Sequence, residues 1–278
     1  MPSTKIISLL AALPLTALAA QGPPFQNTTA VPRHYAILAA HSVTSIDMFG
    51  PLDVFTALAM YYVNETGPMQ LSVVTANDTP ATTSPPAKGV DFGVNLMSSI
   101  TVDHYLEMAS KNFSMDHATS CNKTEMGGAP PLTPIDVLLI PGGGGMRGNV
   151  DKEVEFVKKV YPSLKYLITV CTGSTVAARA GVLDGKKATT NKKSWKWATS
   201  FGNNVDYITH ARWVRDGNIY TGSGVSAAVD TTYQFISDVY GEPVAQWIAD
   251  ASEYTRWGNA SHDPFADRWG AGTNETKA

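Results

Sequence analysis

One cysteine in this chain stands where it could act as a nucleophile. In Leu167-Ile168-Thr169-Val170-Cys171-Thr172-Gly173-Ser174, four β-prone residues run straight into Cys171, and small residues then open an alanine-rich helical pattern that ends at Gly181. A strand, a sharp turn and a helix in that order hold a side chain out of the sheet, near the positive end of the helix. A thiol placed there is expected to be pushed toward thiolate, the form that attacks electrophiles. The competing reading is a buried core cysteine, the commoner fate of a lone Cys. A core strand, however, does not need a glycine two residues after its last buried position.

Two further segments carry chemistry. Ile135–Ile140 reads as a strand and ends in Pro141-Gly142-Gly143-Gly144-Gly145. Thiolate attack on an unsaturated carbon needs a site for the developing charge, and backbone amides at Gly143 and Gly144 can come close because glycine carries no Cβ. The amide of Thr172 would be a further donor. A glycine run after a strand is otherwise a phosphate loop or a plain turn, and no Gly-Lys-Ser/Thr follows to make a nucleotide P-loop. Asp47 lies in the apolar or small context Thr44-Ser45-Ile46-Asp47-Met48-Phe49-Gly50. It could hold a proton beside Cys171, its pKa raised by burial, and act as general acid and base. Alternatively it caps a helix that starts at Gly50. His34, His41, His104, His117, His210 and His262 show no metal spacing, so no metal or other cofactor is expected. His41 could line the mouth of the site; it and His210 read as structural.

These segments need a scaffold, and the apolar pattern supplies one. His34–Ala40 is a continuous apolar run of the kind buried on both faces of a parallel sheet. The pattern predicts a helix from about Gly50 to Tyr62 with Pro51 near its first turn, a strand over 69–75, and hairpin and loop over 77–100, ending at a short strand over 99–103. Ser110–Pro134 reads as a polar insertion and a candidate lid. Helices are expected over 151–161 and 173–180, strands over 205–209 and 211–215, a helix over 226–240 capped by Ser226 and stopped by Gly241, and a last helix over 243–255. Alternating strands and helices give a parallel sheet with helices on both faces, a three-layer α/β sandwich whose ligands bind outside the carboxyl ends of the strands. Asp47, the glycine run and Cys171 all fall at that edge.

Composition bounds the rest. At 278 residues and 44% hydrophobic content, one large α/β core is expected. A formal charge of −3 and a pI near 6.1 argue against nucleic acid as a partner, and no lysine run forms a membrane patch. Residues 1–19 read as a signal peptide: Lys5 forms the n-region, Ile6–Leu18 the apolar run and Ala17-Leu18-Ala19 the cleavage site, with no later transmembrane segment. Residues 21–31 read as a tether, 33–257 as a single domain and 258–278 as a polar tail. Sequons at Asn27, Asn64, Asn77, Asn112, Asn122, Asn259 and Asn274 fit a glycosylated secretory protein with these sites on exposed loops. Cys121 could pair with Cys171 in an oxidising compartment, but it sits beside the Asn122 sequon, and a free Cys171 is favoured.

Ile140-Pro141-Gly142-Gly143-Gly144-Gly145, Val170-Cys171-Thr172-Gly173-Ser174, Gly181–Thr190 and Ser223–Asp230 together resemble the ThiJ/PfpI family, of the class I glutamine amidotransferase-like, flavodoxin-like fold. Asp47-Met48-Phe49-Gly50-Pro51 with Cys171-Thr172-Gly173 is similar to its isonitrile hydratase branch. Protease and glyoxalase members usually carry His directly after the cysteine, where this chain has Thr172. The resemblance implies that Cys171 attacks an isonitrile carbon, that Asp47 moves the protons, that Thr172 and Gly143 position and stabilise, and that the product is an N-formamide. It also implies a small-molecule substrate and homodimerisation. One departure bears on the pocket wall: hydratases have Ala-Thr-Thr-His-Trp where this chain has Ala188-Thr189-Thr190-Asn191-Lys192. The alternative is a ligand-binding or redox-responsive protein that keeps the fold and the thiol without turnover.

Overall fold

The computed structural model describes residues 22–28, 30–113 and 132–273. In chain order the strands are β1 His34–Leu38, β2 Gln70–Thr75, β3 Ala81–Thr82, β4 Asn95–Leu96, β5 Ile100–Thr101, β6 Val137–Ile140, β7 Tyr166–Val170, β8 Lys187–Ala188, β9 Asp206–Tyr207, β10 Trp213–Asp216 and β11 Ile219–Gly222. The helices are α1 Ser45–Tyr61, α2 Val63–Thr66, α3 Val102–Ser110, α4 Asp151–Val160, α5 Ser174–Arg179, α6 Trp195–Ala198, α7 Ala227–Tyr240, α8 Glu242–Ala251 and α9 Phe265–Arg268.

The main sheet has seven strands in the order β10-β11-β7-β6-β1-β2-β5. Every pairing in it is parallel except β10 with β11. The period-2 side-chain alternation of the strands divides the core in two. Tyr35, Ile37, Leu139, Ile168 and Val170 face Phe55 and Leu58 of α1, Phe235 of α7 and Ile248 of α8. Ala36, Leu38, Leu138, Ile140 and Leu167 face Tyr105 of α3, Phe156 of α4 and Val176 of α5. Both faces are covered, so the apolar runs of β1 and β6 are buried along their whole length. This is the expected mostly parallel three-layer sandwich. The chain builds outward from β1 through β2 to β5, then reverses through β6, β7 and β11, so the strand order switches between β1 and β6. Crevices at such switch points, outside the carboxyl ends of the strands, are where ligands bind in open α/β sheets.

Several elements differ from the sequence expectation. Helix α1 starts at Ser45 rather than Gly50, which puts Asp47 in its first turn and Pro51 inside it. Proline is commonest in a first turn, but here its missing N–H merely leaves the Asp47 carbonyl, one turn back, without a helical donor. Helix α3 occupies residues where only a strand ending at Asp103 was expected; Thr101 Oγ1 accepts from the His104 N–H at 3.3 Å, and Val102, Tyr105 and Met108 form a buried stripe. Ser226 does not cap α7, because its Oγ accepts from Arg212 Nη2 at 3.2 Å and its backbone is already helical. Of the strand expected over 205–209 only Asp206–Tyr207 pairs, in a separate two-stranded ribbon with β8.

The segment expected as a tether is docked: Phe25 stacks on Tyr62 at 5.2 Å, and the Gln26 N–H donates to Tyr240 O at 2.9 Å. The segment expected as a polar tail carries α9 and buries Asp263 and Ala266. The signal-peptide residues 1–19, most of the polar insertion with Cys121 and Asn122, and Asn274 lie outside the described residues. Among the described residues no helix is long and apolar enough to cross a membrane.

Candidate active site

Three neighbouring strand ends build the site. β7 runs into Cys171, which opens a single 3-10 turn over Cys171–Gly173 before α5 begins. Cys171 has φ +56°, a left-handed conformation that a residue with a Cβ adopts only when its surroundings hold it there. They do so through hydroxyls. Thr190 Oγ1 and Ser174 Oγ each donate to the Cys171 carbonyl at 3.0 Å, and Thr175 Oγ1 donates to the Thr172 carbonyl at 2.7 Å. Two flanking small polar residues, Ser174 and Thr175, and the distant Thr190 thus fix the elbow.

From the next strand, β6, comes the glycine turn. The Gly142 N–H donates to Asp47 Oδ2 at 3.0 Å, and the Gly143 N–H donates to Thr172 Oγ1 at 3.0 Å. Gly142 sits so close to both partners that a Cβ there would lie 2.6 Å from the Thr172 nitrogen and 2.9 Å from Asp47 Oδ2. Gly143 has φ +146° and bridges to Val43. The third strand, β1, continues through that bridge into α1, and the Thr44 N–H donates to the Gly142 carbonyl at 2.9 Å. The glycine turn therefore ties Asp47 and Thr172 to one piece of backbone.

Asp47 is fully buried and Cys171 is 5% exposed. Asp47 Oδ1 has no hydrogen-bond partner of normal geometry; the carboxylate's remaining interaction is with the Cys171 thiol. Burial pushes the Asp47 carboxyl up to about 7, against the lowering effect of the Gly142 N–H and the thiol. Burial also pushes the Cys171 thiol well above its usual range, and the Asp47 carboxylate adds to the rise. The thiolate expected from the elbow is therefore not the resting form. A helix N-terminus contributes about 0.3–1 kcal/mol to an adjacent anion, far less than the desolvation of a buried one. Below about pH 7 both groups are protonated, and above it Asp47 is a carboxylate beside a thiol that keeps its proton.

Groups that favour the anionic sulfur are present too: the Thr172 N–H, the Thr172 hydroxyl and the Asn191 side chain. The Thr172 hydroxyl also lies 3.3 Å from the Gly143 carbonyl, so it can turn from that weak acceptor to the sulfur when charge develops. Asn191 was noted in the sequence only as a departure in the pocket wall. Its Oδ1 accepts from the Ser194 N–H at 2.9 Å, which leaves the amide NH2 as the end that can face the thiol. The signal was the Asn-x-x-Ser spacing of a local side-chain turn.

The expected oxyanion donors are placed differently from one another. The Gly143 N–H is already occupied by Thr172 Oγ1. Gly144 lines a groove of about 460 Å3 together with Ser42, Thr44, Ile46, Pro86 and Val225, beside the segment that leads into Asp47. His41 is exposed, and His210 is exposed and bonds Asp267 at 2.9 Å. Cys171 carries a free thiol. No group of three or more His, Cys, Asp or Glu that could hold a metal occurs among the described residues.

The described sequon asparagines, Asn27, Asn64, Asn77, Asn112 and Asn259, are all exposed. Asn64 lies in the short helix α2 rather than a loop, and the Asn27 amide is engaged with the Ser237 and Asp238 carbonyls at 3.1 and 3.2 Å.

The profile of the DJ-1/PfpI family matches residues 33–238. Isonitrile hydratase of Pseudomonas putida is 33% identical over 122 residues, 43% of this chain and 52% of that protein. The HTH-type transcriptional regulator GbdR of Pseudomonas aeruginosa is 27% identical over 147 residues, 51% of this chain and 39% of the regulator. The chain thus spans about half the length, or less, of these relatives. The crystal structure of a ThiJ/PfpI family protein from Pseudomonas syringae shares the fold, with a TM-score of 0.60 over 90% of this chain and 86% of that one at 22% identity. The matched residues run from just before β1 into α7 and take in all three strand ends of the site, and on that match the chain belongs to the DJ-1/PfpI family.

Proposed function

We propose that this protein is an exported, cofactor-independent enzyme that adds water to a small electrophile through Cys171 and Asp47, with hydration of an isonitrile to an N-formamide as the reaction the site suits best. The observation that carries this is a buried carboxyl raised to about 7 that interacts with the Cys171 thiol, with Thr172 rather than a histidine after the cysteine. A carboxyl that titrates near neutrality can both take and return a proton at working pH.

The steps balance on these residues alone. Asp47 takes the thiol proton, sulfur forms a bond to the terminal isonitrile carbon, and the Asp47 proton passes to that carbon, giving a thioimidate, Cys–S–CH=N–R. Asp47, again a carboxylate, takes a proton from water as the oxygen adds to the same carbon, and passes that proton to the nitrogen. The tetrahedral adduct then breaks its C–S bond, forms the formyl C=O and returns a proton to sulfur, releasing HCO–NH–R. The Thr172 N–H, its hydroxyl and the Asn191 amide stabilise sulfur while it is anionic. The groove of about 460 Å3 is lined by polar residues such as Ser42, Thr44 and Thr83 together with Ile46, Pro86 and Val225, and it adjoins Asp47 in sequence through Ile46 without being lined by Asp47 or Cys171. The similarity to an isonitrile hydratase supports the same reaction. The amino-terminal signal pattern and the exposed sequons support export.

Purified protein incubated with alkyl and aryl isonitriles is expected to give the formyl-proton NMR signal of the formamide, and Cys171→Ala or Asp47→Asn to abolish it. Absence of turnover across such a panel, with Cys171 shown to be a free thiol, would overturn the enzymatic reading and leave a protein that binds a small molecule without changing it.

A further inference from the structure

The family match ends at residue 238, yet the segment beyond it reaches back to Ser223 and to Lys192, in the loop next to the nucleophile's turn. Asp263 is buried, its side chain fully so. Its Oδ2 accepts from the Ser223 hydroxyl in a short hydrogen bond, and its Oδ1 accepts from the Phe265 N–H at 3.1 Å. Two backbone bonds hold its segment in register with the loop before β10: Asp263 N–H to His210 O at 2.8 Å, and Arg212 N–H to Ala260 O at 2.7 Å.

Asp263 Oδ2 lies 3.8 Å from Lys192 Nζ, and the lysine side chain is 1% exposed. That ammonium donates to Thr189 Oγ1 at 2.6 Å, to the Ala211 carbonyl at 2.9 Å and, more weakly, to the Thr190 carbonyl at 3.4 Å. It also lies 4.8 Å from the centre of the Trp195 ring. The neighbouring charges are Arg212 and its own partner Asp230, at 2.6 Å. Burial lowers Lys192 to about 8, and Asp263 opposes that shift.

A buried ion pair is a poor way to gain stability, because an apolar side chain of similar volume does as well or better. What an ammonium does and a methionine cannot is donate in three directions at once. Here two of the three acceptors, Thr189 Oγ1 and the Thr190 carbonyl, lie on the stretch Thr189–Asn191, whose Thr190 hydroxyl holds the strained Cys171 carbonyl and whose Asn191 amide faces the sulfur.

We propose that Asp263 is a positioning residue for Cys171: from the segment beyond the family match it neutralises Lys192, and Lys192 in turn fixes the Thr189–Asn191 stretch that shapes the nucleophile's turn and supplies the amide at its sulfur. The proposal rests on Cys171 being the reacting group, and only its turnover measurement depends on the isonitrile reaction.

Three full-length variants test it: Asp263→Asn, Asp263→Asn combined with Lys192→Met, and Asn191→Ala. The combined variant removes both charges together, so it is expected to keep an unfolding midpoint close to that of the parent even where Asp263→Asn alone does not fold. Iodoacetamide labelling of Cys171, followed by peptide mass spectrometry, is expected to slow about 3- to 10-fold in the combined variant and in Asn191→Ala, because the sulfur loses a donor to its anionic form. Turnover of an alkyl isonitrile is expected to show kcat down about tenfold with KM within about twofold. Partial unfolding would instead speed labelling, so the direction separates positioning from mere support. Parent-like or faster labelling in the folded combined variant, or in Asn191→Ala, overturns the proposal. If the parent turns over no isonitrile, the reaction assigned above falls while the labelling rates still decide this one.

Discussion

Asp47 meets conflicting demands. Its carboxyl is fully buried with one firm donor, the Gly142 N–H at 3.0 Å, where water would offer several. Its pKa rises from 3.8 to about 7 when the chain folds, so between those values the folded protein keeps a proton that the unfolded chain has already lost. Stability is thus greatest below the lower value and falls as pH rises through the upper one, by on the order of a few kcal/mol. Urea unfolding at about pH 5 and about pH 8 should show the parent losing stability across the window and Asp47→Asn losing much less; equal slopes would show that Asp47 is not held protonated. The same titration sets activity. The carboxylate must be free to take the thiol proton, so kcat/KM is expected to rise with pH through about 7. A flat profile from about pH 5 to about pH 8 would remove Asp47 as the base. Thr172→Val keeps the side chain's shape but strips the acceptor from the Gly143 N–H, an unsatisfied donor worth about 1–3 kcal/mol of stability. Thr172→Ser should recover most of both stability and turnover, as urea titration and formamide assays would show.

At the scale of elements, the site depends on how closely three strand ends approach. Gly142 is the tightest point, since a Cβ there would meet both the Thr172 backbone and the Asp47 carboxylate. Gly142→Ala is expected to leave the circular dichroism spectrum intact while lowering kcat at least tenfold, because displacements of about 1 Å at reacting groups cost rates of that order or more. Gly258→Ala, where nothing lies within 4 Å of the added Cβ, serves as the control. The elbow at Cys171 was legible because a β-run, a cysteine and small residues follow one another with nothing else to explain the order. The parallel sheet was legible because β6 is apolar at every position and β1 at every position after His34. The start of α1 was not, since Pro51 imitates a first-turn proline while standing a full turn further in. The thiol's charge state is set by contacts that the local sequence does not show. The turn suggests an anion, but burial and a carboxylate on another strand act against it, and neither is visible beside Cys171 in the sequence. Nor does the local sequence show the role of Asn191 at the sulfur, because it depends on the loop after β8 folding back onto the end of β7.

Across the whole molecule, one sheet separates two cores, and adjacent residues of β6 belong to different ones. Leu139 packs under α1 and α7, and Leu138 under α4 and α5, both almost without exposure. Because β6 also carries the glycine turn and lies between β1 and β7, neither layer can loosen without moving the site. Leu138→Ala and Leu139→Ala should each cost about 2–5 kcal/mol, as deletions in packed cores do. The two layers share every strand, so both variants are expected to lower one common transition, followed equally by backbone circular dichroism and by tryptophan fluorescence. Two transitions, with each substitution moving only its own, would mean that the layers fold as separate units. In that case the three strand ends would not be held by a single cooperative body, and the alignment of Asp47 with Cys171 would have to come from the loops alone.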